Sequence, residues 1–323
     1  MLTVGINTAP LAAARTGVGR YIAGLLDGVV RLRPPDLTIR PLFAPGPVSR
    51  LRGLLRQLPF SYALAERVRA QGLRSARLSV YHETNHAAPR FDGPVVLTIH
   101  DLSTVLHAQT QDPKRARHFA RALLVRARDA ARVVTPTAAI AEEVVRHLGV
   151  ARDRVRFIHH GVDALFAPAP QVEREPFVLF VGAAGPRKGL DTLRAAMPAG
   201  HELVLAGPPR FVPEAELLSL YRRAAVLVLP SVYEGFGFPL VEAFACGTPA
   251  VASDDPALLE VSGGAALHFP RGDAEALRGV LARVLGDRGL RAELSLRGLE
   301  RARLFRWDDC AAAHLDVYQE AAR

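Results

Sequence analysis

AVLVLPSVYEGFGFPLVEAFACGTPAVAS, residues 225–253, decides how this chain is read. The first six residues are an apolar run that stops at Pro230, the pattern of a strand buried on both faces. Pro239 suits the first turn of a helix, where its missing N–H would lack a partner anyway. The apolar residues after it run to Cys246 and end at Gly247, a helix stop. Pro249 then leads into a second short apolar run, PAVAS. Strand, loop, helix, strand is the unit from which helix-covered parallel sheets are built. Glu234 falls on the loop after the first strand, and Glu242 falls on the first turns of the helix. Both carboxylates are therefore expected at the carboxyl edge of the sheet, where ligands of such folds bind. There they can accept hydrogen bonds from vicinal hydroxyls of a ribose or hexose. The loop amides of Gly235, Phe236, Gly237 and Phe238 would support a bound sugar. Taken singly, each glutamate reads equally well as a solvated loop residue or a helix N-terminal acid favoured by the dipole. Together in one phrase they point to a ligand.

The same alternation extends in both directions. Strands are expected at 2–7, 37–43, 78–83, 94–100, 131–137 and 155–163, with helices at 113–129 and 138–147. After residue 176 the pattern restarts: strands at 177–183, 201–207, 225–230, 249–253 and 265–270, and helices from 188, at 214–224, 239–246, 256–262, 273–285, 288–304 and 307–322. Residues 164–176 hold Pro168, Pro170 and Pro176 and read as a linker. At 323 residues the chain suits two domains of ordinary size. Both are expected to be doubly wound α/β domains, facing each other across a cleft lined by strand ends.

Composition excludes several classes. The 49% hydrophobic content is ordinary for a globular core. No apolar run is long enough to span a membrane, and MLTVGINTAP reads as a first strand and not as a signal peptide. Two cysteines, Cys246 and Cys310, make neither a disulfide framework nor a zinc site and fit a reducing cytoplasm. The net charge of +9 comes almost wholly from arginine, since Lys114 and Lys188 are the only lysines. The basic residues are dispersed and no nucleic-acid motif accompanies them, so no nucleic-acid partner is expected. Residues 49–77 mix arginine with Leu, Phe and Tyr. They read as ordinary surface helices, or as a face for peripheral contact with an anionic membrane.

Three further stretches carry chemistry. Val181-Gly182-Ala183-Ala184-Gly185-Pro186-Arg187-Lys188-Gly189 follows a strand and opens a helix. Two cations at a helix start are unfavourable unless an anion joins them, so Arg187 and Lys188 are candidates to clamp a diphosphate. The alternative is a solvated basic turn. Gly17 and Gly19, before the first long helix, let backbone N–H groups approach an oxyanion. His100 and Asp101 end a strand, where a histidine can meet a substrate hydroxyl or move a proton; a packed His beside a capping Asp is the alternative. The spacing of His82, Glu83, His86 and His107 matches no metal site. His159-His160-Gly161 reads as shaping the hinge.

With these residues on view, the chain resembles the retaining, nucleotide-sugar-dependent glycosyltransferases of group 1, family four, and most of all their bacterial mannosyltransferase-like branch. TGVGRY, VVLTIHDLS, ARVVTPTAAIAEEV, FVLFVGAAGPRKGLDTLRAA, LYRRAAVLVLPSVYEGFGFPLVEAFACGTPAVASD and RLFRWDDCAAAHLDVY carry the likeness, which runs nearly end to end. The resemblance implies an α/β fold of the GT-B type: an acceptor-side domain over 1–165, a nucleotide-sugar domain over 166–305, and a helix over 306–323 that crosses back to the first. By position, Glu234 would bind sugar hydroxyls and Glu242 the ribose. Lys188 and Arg187 would neutralise the diphosphate, with Gly17, Gly19 and Gly182 near the phosphates and His100, with Asp101, beside the transferred sugar. The family needs no metal and no cofactor. The donor is a nucleoside-diphosphate sugar, GDP-mannose at branch level, and the acceptor is a glycan, a lipid-linked glycan or a small glycoside. The enzyme would be cytoplasmic or peripheral to the inner face of the membrane. Three departures stand out: Ala183 and Ala184 where an arginine is usual, His160 where an asparagine is usual, and a short stretch between Ala206 and Glu214 where a helix and strand are usual. The last favours a second class of reading, a non-catalytic sugar-nucleotide-binding or partner subunit. An epimerase or phosphorylase on the same fold is a third, and a nicotinamide enzyme a distant fourth.

Overall fold

The computed structural model describes residues 1–12, 16–43, 73, 76–85, 91–107, 113–169, 171–208 and 212–323. Most of the basic 49–77 stretch, together with Arg15 and His86, lies outside the described residues. The chain forms two units, one of Met1–Gly161 with Trp307–Arg323 and one of Val162–Arg306.

The first unit is built from β1 (Leu2–Asn7), α1 (Gly17–Leu32), β2 (Leu37–Leu42), β3 (Val80–Glu83), β4 (Val95–Thr98), α2 (Ser103–Leu106), α3 (Pro113–Asp129), β5 (Arg132–Thr135), α4 (Ala138–Glu143) and β6 (Val155–Phe157). Among the described residues its six strands are parallel, in the order β2-β1-β3-β4-β5-β6. The strands run apolar because both faces are covered: Val4, Ile6, Val80, Tyr81, Val96, Leu97 and Val133 are fully buried. The helix expected over 138–147 leaves α geometry at Val144, and a π turn runs from there to Leu148. The strand expected over 155–163 stops at Phe157. Beyond it the chain turns inward, because His160 is buried against Tyr21 and Trp307.

The second unit follows with β7 (Glu175–Val181), α5 (Leu190–Ala196), β8 (Glu202–Ala206), α6 (Glu214–Arg223), β9 (Ala224–Leu229), α7 (Phe238–Ala245), β10 (Ala250–Ser253), α8 (Pro256–Ser262), β11 (Leu267–Phe269), α9 (Ala274–Gly286) and α10 (Arg288–Ala302). Its parallel sheet has the order β11-β10-β9-β7-β8, five strands against six in the first unit. β8 lies at the sheet edge, and only seven residues of sequence, 207–213, separate it from α6. The reading of 164–176 as a coreless linker needs correction. Phe166 is buried in the apolar core of this unit, edge-on to Tyr221, and β7 already begins at Glu175.

α11 (Trp307–Ala321) returns to the first unit and packs on α1. Glycines make the close approach possible: a Cβ on Gly24 would lie 2.1 Å from the Trp307 ring, and one on Gly28 2.6 Å from its carbonyl oxygen. Beneath the helix lies a buried polar knot. The His314 Nδ1–H donates to the Cys310 carbonyl, 2.7 Å away. Its Nε2 must then accept from the Tyr21 hydroxyl at 2.8 Å if the ring is neutral. Burial holds it neutral, pulling His314 down to about 4. His82 joins through Thr98 and Tyr318, each at 2.8 Å, and burial lowers it well below the usual histidine range as well.

Candidate functional site

The site of the second unit is the meeting of two segments that are distant in sequence. β7 and β9 are neighbours in the sheet although β8 lies between them in the chain. The turn after β7 and the loop after β9 therefore emerge side by side. The turn carries Arg187 and Lys188 on a single 3-10 turn, Pro186–Lys188, closed by Gly189. Gly189 has φ +65°, and a Cβ there would lie 1.9 Å from the Pro230 carbonyl oxygen. Only glycine lets the two segments come this close.

At the contact, Lys188 Nζ donates to Glu234 Oε1 at 2.5 Å, and the Ser231 hydroxyl donates to the same oxygen at 2.8 Å. Among the described residues no bond goes to Glu234 Oε2. The lysine is 24% exposed and the glutamate 9%, so the pair sits partly out of water, where charge-assisted bonds are strong. An ammonium has three donors, and after Glu234 two remain for another anion. Arg187 is placed differently from Lys188: its guanidinium donates to the Tyr233 carbonyl at 2.8 Å, and its own carbonyl accepts from Val232 N–H at 2.8 Å. It tethers the loop.

Gly237, at φ +88°, turns the loop into α7. Gly235, Phe236 and Gly237 are all buried, and Phe236 packs edge-on to Phe238 and Phe305. Glu242 lies on α7, 2% exposed, and its Oε2 accepts from the Tyr221 hydroxyl at 2.6 Å. The C-terminal carbonyls of α6 and α7 converge on one guanidinium. Arg174 reaches Ala224 O at 2.9 Å and Gly247 O at 2.5 Å, with longer bonds to Arg222 O and Cys246 O. It completes helix ends that would otherwise lack donors. Gly182 follows β7 and donates to the Ala206 carbonyl.

The remaining candidates belong to the first unit. Gly17 is exposed at the start of α1, while the Gly19 N–H is taken by the capping Thr16 hydroxyl at 3.1 Å. His100 Nε2 lies 3.0 Å from the Thr84 carbonyl, and the ring stands edge-on to Tyr21. Asp101 Oδ1 accepts from Ser103 N–H, closing a local turn that leads into α2.

Sequence reasoning missed Tyr221, Ser231, Asp255 and Arg271. Asp255 had a legible local signal, an Asp before a Pro at a helix start. Its Oδ1 accepts from Ala257 and Leu258 N–H, and its Oδ2 from Glu234 N–H at 3.3 Å. Burial pushes its carboxyl up to about 6, and the nearby Glu234 charge adds to the rise. Among the described residues no group of three His, Cys, Asp or Glu is arranged to hold a metal ion. No described helix is long and apolar enough to cross a membrane.

The family model described as "Glyco_transf_4: Glycosyltransferase Family 4" matches residues 17–164, and that described as "Glycosyl transferases group 1" matches 209–301. The chain is 30% identical to a D-inositol 3-phosphate glycosyltransferase of Acidothermus cellulolyticus, covering 98% of this chain and 86% of the relative. It is 25% identical to O-antigen chain mannosyltransferase B of Escherichia coli, covering 97% and 98%. The structure of Anabaena HepE in complex with UDP-glucose superposes with a TM-score of 0.69 at 16% identity, covering 100% of this chain and 98% of that one.

Proposed function

The chain belongs to the glycosyltransferases of group 1, family 4, and from that premise we propose that it moves a hexosyl group from a nucleoside-diphosphate sugar to a hydroxyl of a glycan, glycolipid or small glycoside. The observation that carries the reading is the Lys188–Glu234 pair at 2.5 Å, with Oε2 of the glutamate left to accept from a sugar hydroxyl. The two remaining donors of Lys188 would meet the diphosphate and stabilise the charge that builds on it as the glycosidic bond breaks. Glu242, set by Tyr221, would take the ribose hydroxyls. Arg187 would act on the diphosphate through the loop it tethers, and His100 would stand beside the transferred sugar. Transfer would proceed with retention by front-face substitution, the departing phosphate oxygen taking the acceptor proton.

The mannosyltransferase relative supports mannose as the sugar and a polysaccharide or lipid-linked glycan as the acceptor; the HepE complex with UDP-glucose supports a nucleoside diphosphate as the carrier. Two buried free cysteines suit a cytoplasmic enzyme. The test is product analysis with a panel of nucleotide sugars and hydroxyl acceptors. Acceptor-dependent release of nucleoside diphosphate, with a new α-glycosidic bond formed from an α-linked donor, is expected. The five-stranded sheet of the second unit favours one competing reading, a sugar-nucleotide-binding subunit. Tight donor binding without turnover across the panel would select it.

A further inference from the structure

Every residue of the loop over Ser231–Glu234 is held through its backbone. The Ser231 carbonyl accepts from the Ser253 hydroxyl at 2.5 Å. Val232 N–H reaches the Arg187 carbonyl, and the Val232 carbonyl accepts from Arg271 Nη1 at 3.4 Å. The Tyr233 carbonyl accepts from Arg187. Glu234 N–H is the last of the series, and its acceptor is Asp255 Oδ2.

Asp255 is a costly choice for that task. It is 1% exposed, and a second carboxylate, Glu234, lies beside it. Capping α8 does not require the charge, because Ser or Asn caps a helix about as well as Asp. What a carboxylate adds is a second acceptor oxygen facing the other way. Oδ1 serves the two amides of α8, and Oδ2 serves Glu234. Asn would present an NH₂ group in place of Oδ2 and could not accept there. The charged groups around Asp255 fit this arrangement. Arg271 Nη1 lies 3.9 Å from Oδ2 while its Nε holds Asp254 Oδ1 at 3.1 Å. Across the loop, Lys188 holds the Glu234 carboxylate.

We propose that Asp255 is a positioning residue for the donor sugar: its carboxylate fixes the backbone of Glu234 and thereby aims the Glu234 side chain. The inference rests on the reading of Glu234 as a sugar ligand. It predicts a split in binding. Contacts to the diphosphate come from Lys188, which meets Asp255 only through Glu234, whereas contacts to the sugar come from Glu234 itself, whose backbone Asp255 holds. Protonation of Asp255 at Oδ2 turns that oxygen into a hydroxyl, a weaker acceptor than a carboxylate, so the sugar contribution also fades with acid.

The experiment is calorimetric titration of wild type and Asp255→Asn with GDP and GDP-mannose, and with UDP and UDP-glucose, at pH 7.5 and pH 5.5. Wild type at pH 7.5 binds one nucleotide sugar more tightly than its own diphosphate. Asp255→Asn keeps the affinity for that diphosphate and loses the sugar increment, roughly tenfold for a bond to a charged acceptor. Wild type at pH 5.5 loses most of the same increment, and the variant shows no change between the two pH values. The Asn cap keeps α8 formed, so thermal unfolding of the variant stays close to wild type. A variant that binds diphosphate and nucleotide sugar as wild type does, or that loses both in equal proportion, overturns the proposal. Wild type that binds none of the four ligands breaks the functional reading itself, and the inference falls with it. The two failures are therefore read from different proteins.

Discussion

The two units bury polar groups in opposite ways. Beneath α11 the first unit holds Tyr21, His82, Thr98, His314 and Tyr318 in a knot of neutral groups, all fully buried and satisfied by one another. Beneath its strand ends the second unit holds Lys188, Glu234, Asp255 and Arg271, a network of charges that stays partly open to solvent at its lysine and arginine. A neutral knot of this kind costs little to bury and fixes one arrangement of helix on sheet. A charged network costs desolvation, and its geometry leaves donors and acceptors to spare. The first holds the returning helix, and the second leaves Glu234 Oε2 and two donors of Lys188 unused among the described residues.

Changes at either centre would break or sharpen that contrast. The largest effect is expected from Lys188→Ala, which removes the cation proposed to face the diphosphate: turnover falls by roughly 10²–10³-fold while circular dichroism and thermal unfolding stay near wild type. A comparable loss of stability would instead make the pair structural. Next comes acid. His314 titrates near 6.5 when unfolded and about 4 when folded, so below pH 6.5 the unfolded chain binds more protons. Stability is therefore complete above about pH 6.5 and declines as pH falls towards 4, by up to about 3 kcal/mol from this residue alone; His82 and His160, lowered by burial, push the same way. Asp255 has the reverse sign. Its pKa is raised in the folded state, so its burial costs stability above pH 6, and the cost is relieved as pH falls from about 6 towards 3.8. Hydrogen exchange at pH 5 should therefore loosen α11 before α8. Equal loosening of both would erase the distinction.

Gly189→Ala tests how closely the two segments of the second unit must approach. Its Cβ would collide with the Pro230 carbonyl at a left-handed backbone position, so a loss of roughly 2 kcal/mol in stability is expected, together with weaker donor binding. The smallest effect is expected from Tyr221→Phe, which keeps the ring and removes the bond to Glu242. Affinity for a ribonucleoside diphosphate should fall about fivefold, with no change for the 2′,3′-dideoxy analogue. An equal fall for both would detach Tyr221 from the ribose.

What the sequence could tell follows from these physical arrangements. Strands buried on both faces appear as apolar runs, and Pro230, Pro239, Gly247 and Pro249 punctuate them, so the α/β class and the order of elements were legible. The GT-B type came from the resemblance. Lys188 and Glu234 could be singled out one at a time, but their contact depends on β9 lying beside β7, and strand order is not written in local pattern. Asp255, Arg271 and Tyr221 escaped because each acts through a partner about 20 or more residues away along the chain. Phe166 escaped because three prolines around it suggest a loop, although its ring lies in the core.

Lys188 and Glu234 are proposed to hold the two ends of one donor. A crystal structure with a nucleoside-diphosphate sugar bound tests it most directly. Lys188 Nζ is expected within about 3 Å of a diphosphate oxygen and Glu234 Oε2 within the same distance of a sugar hydroxyl. A donor bound elsewhere, with Lys188 still engaged only by Glu234, would contradict it.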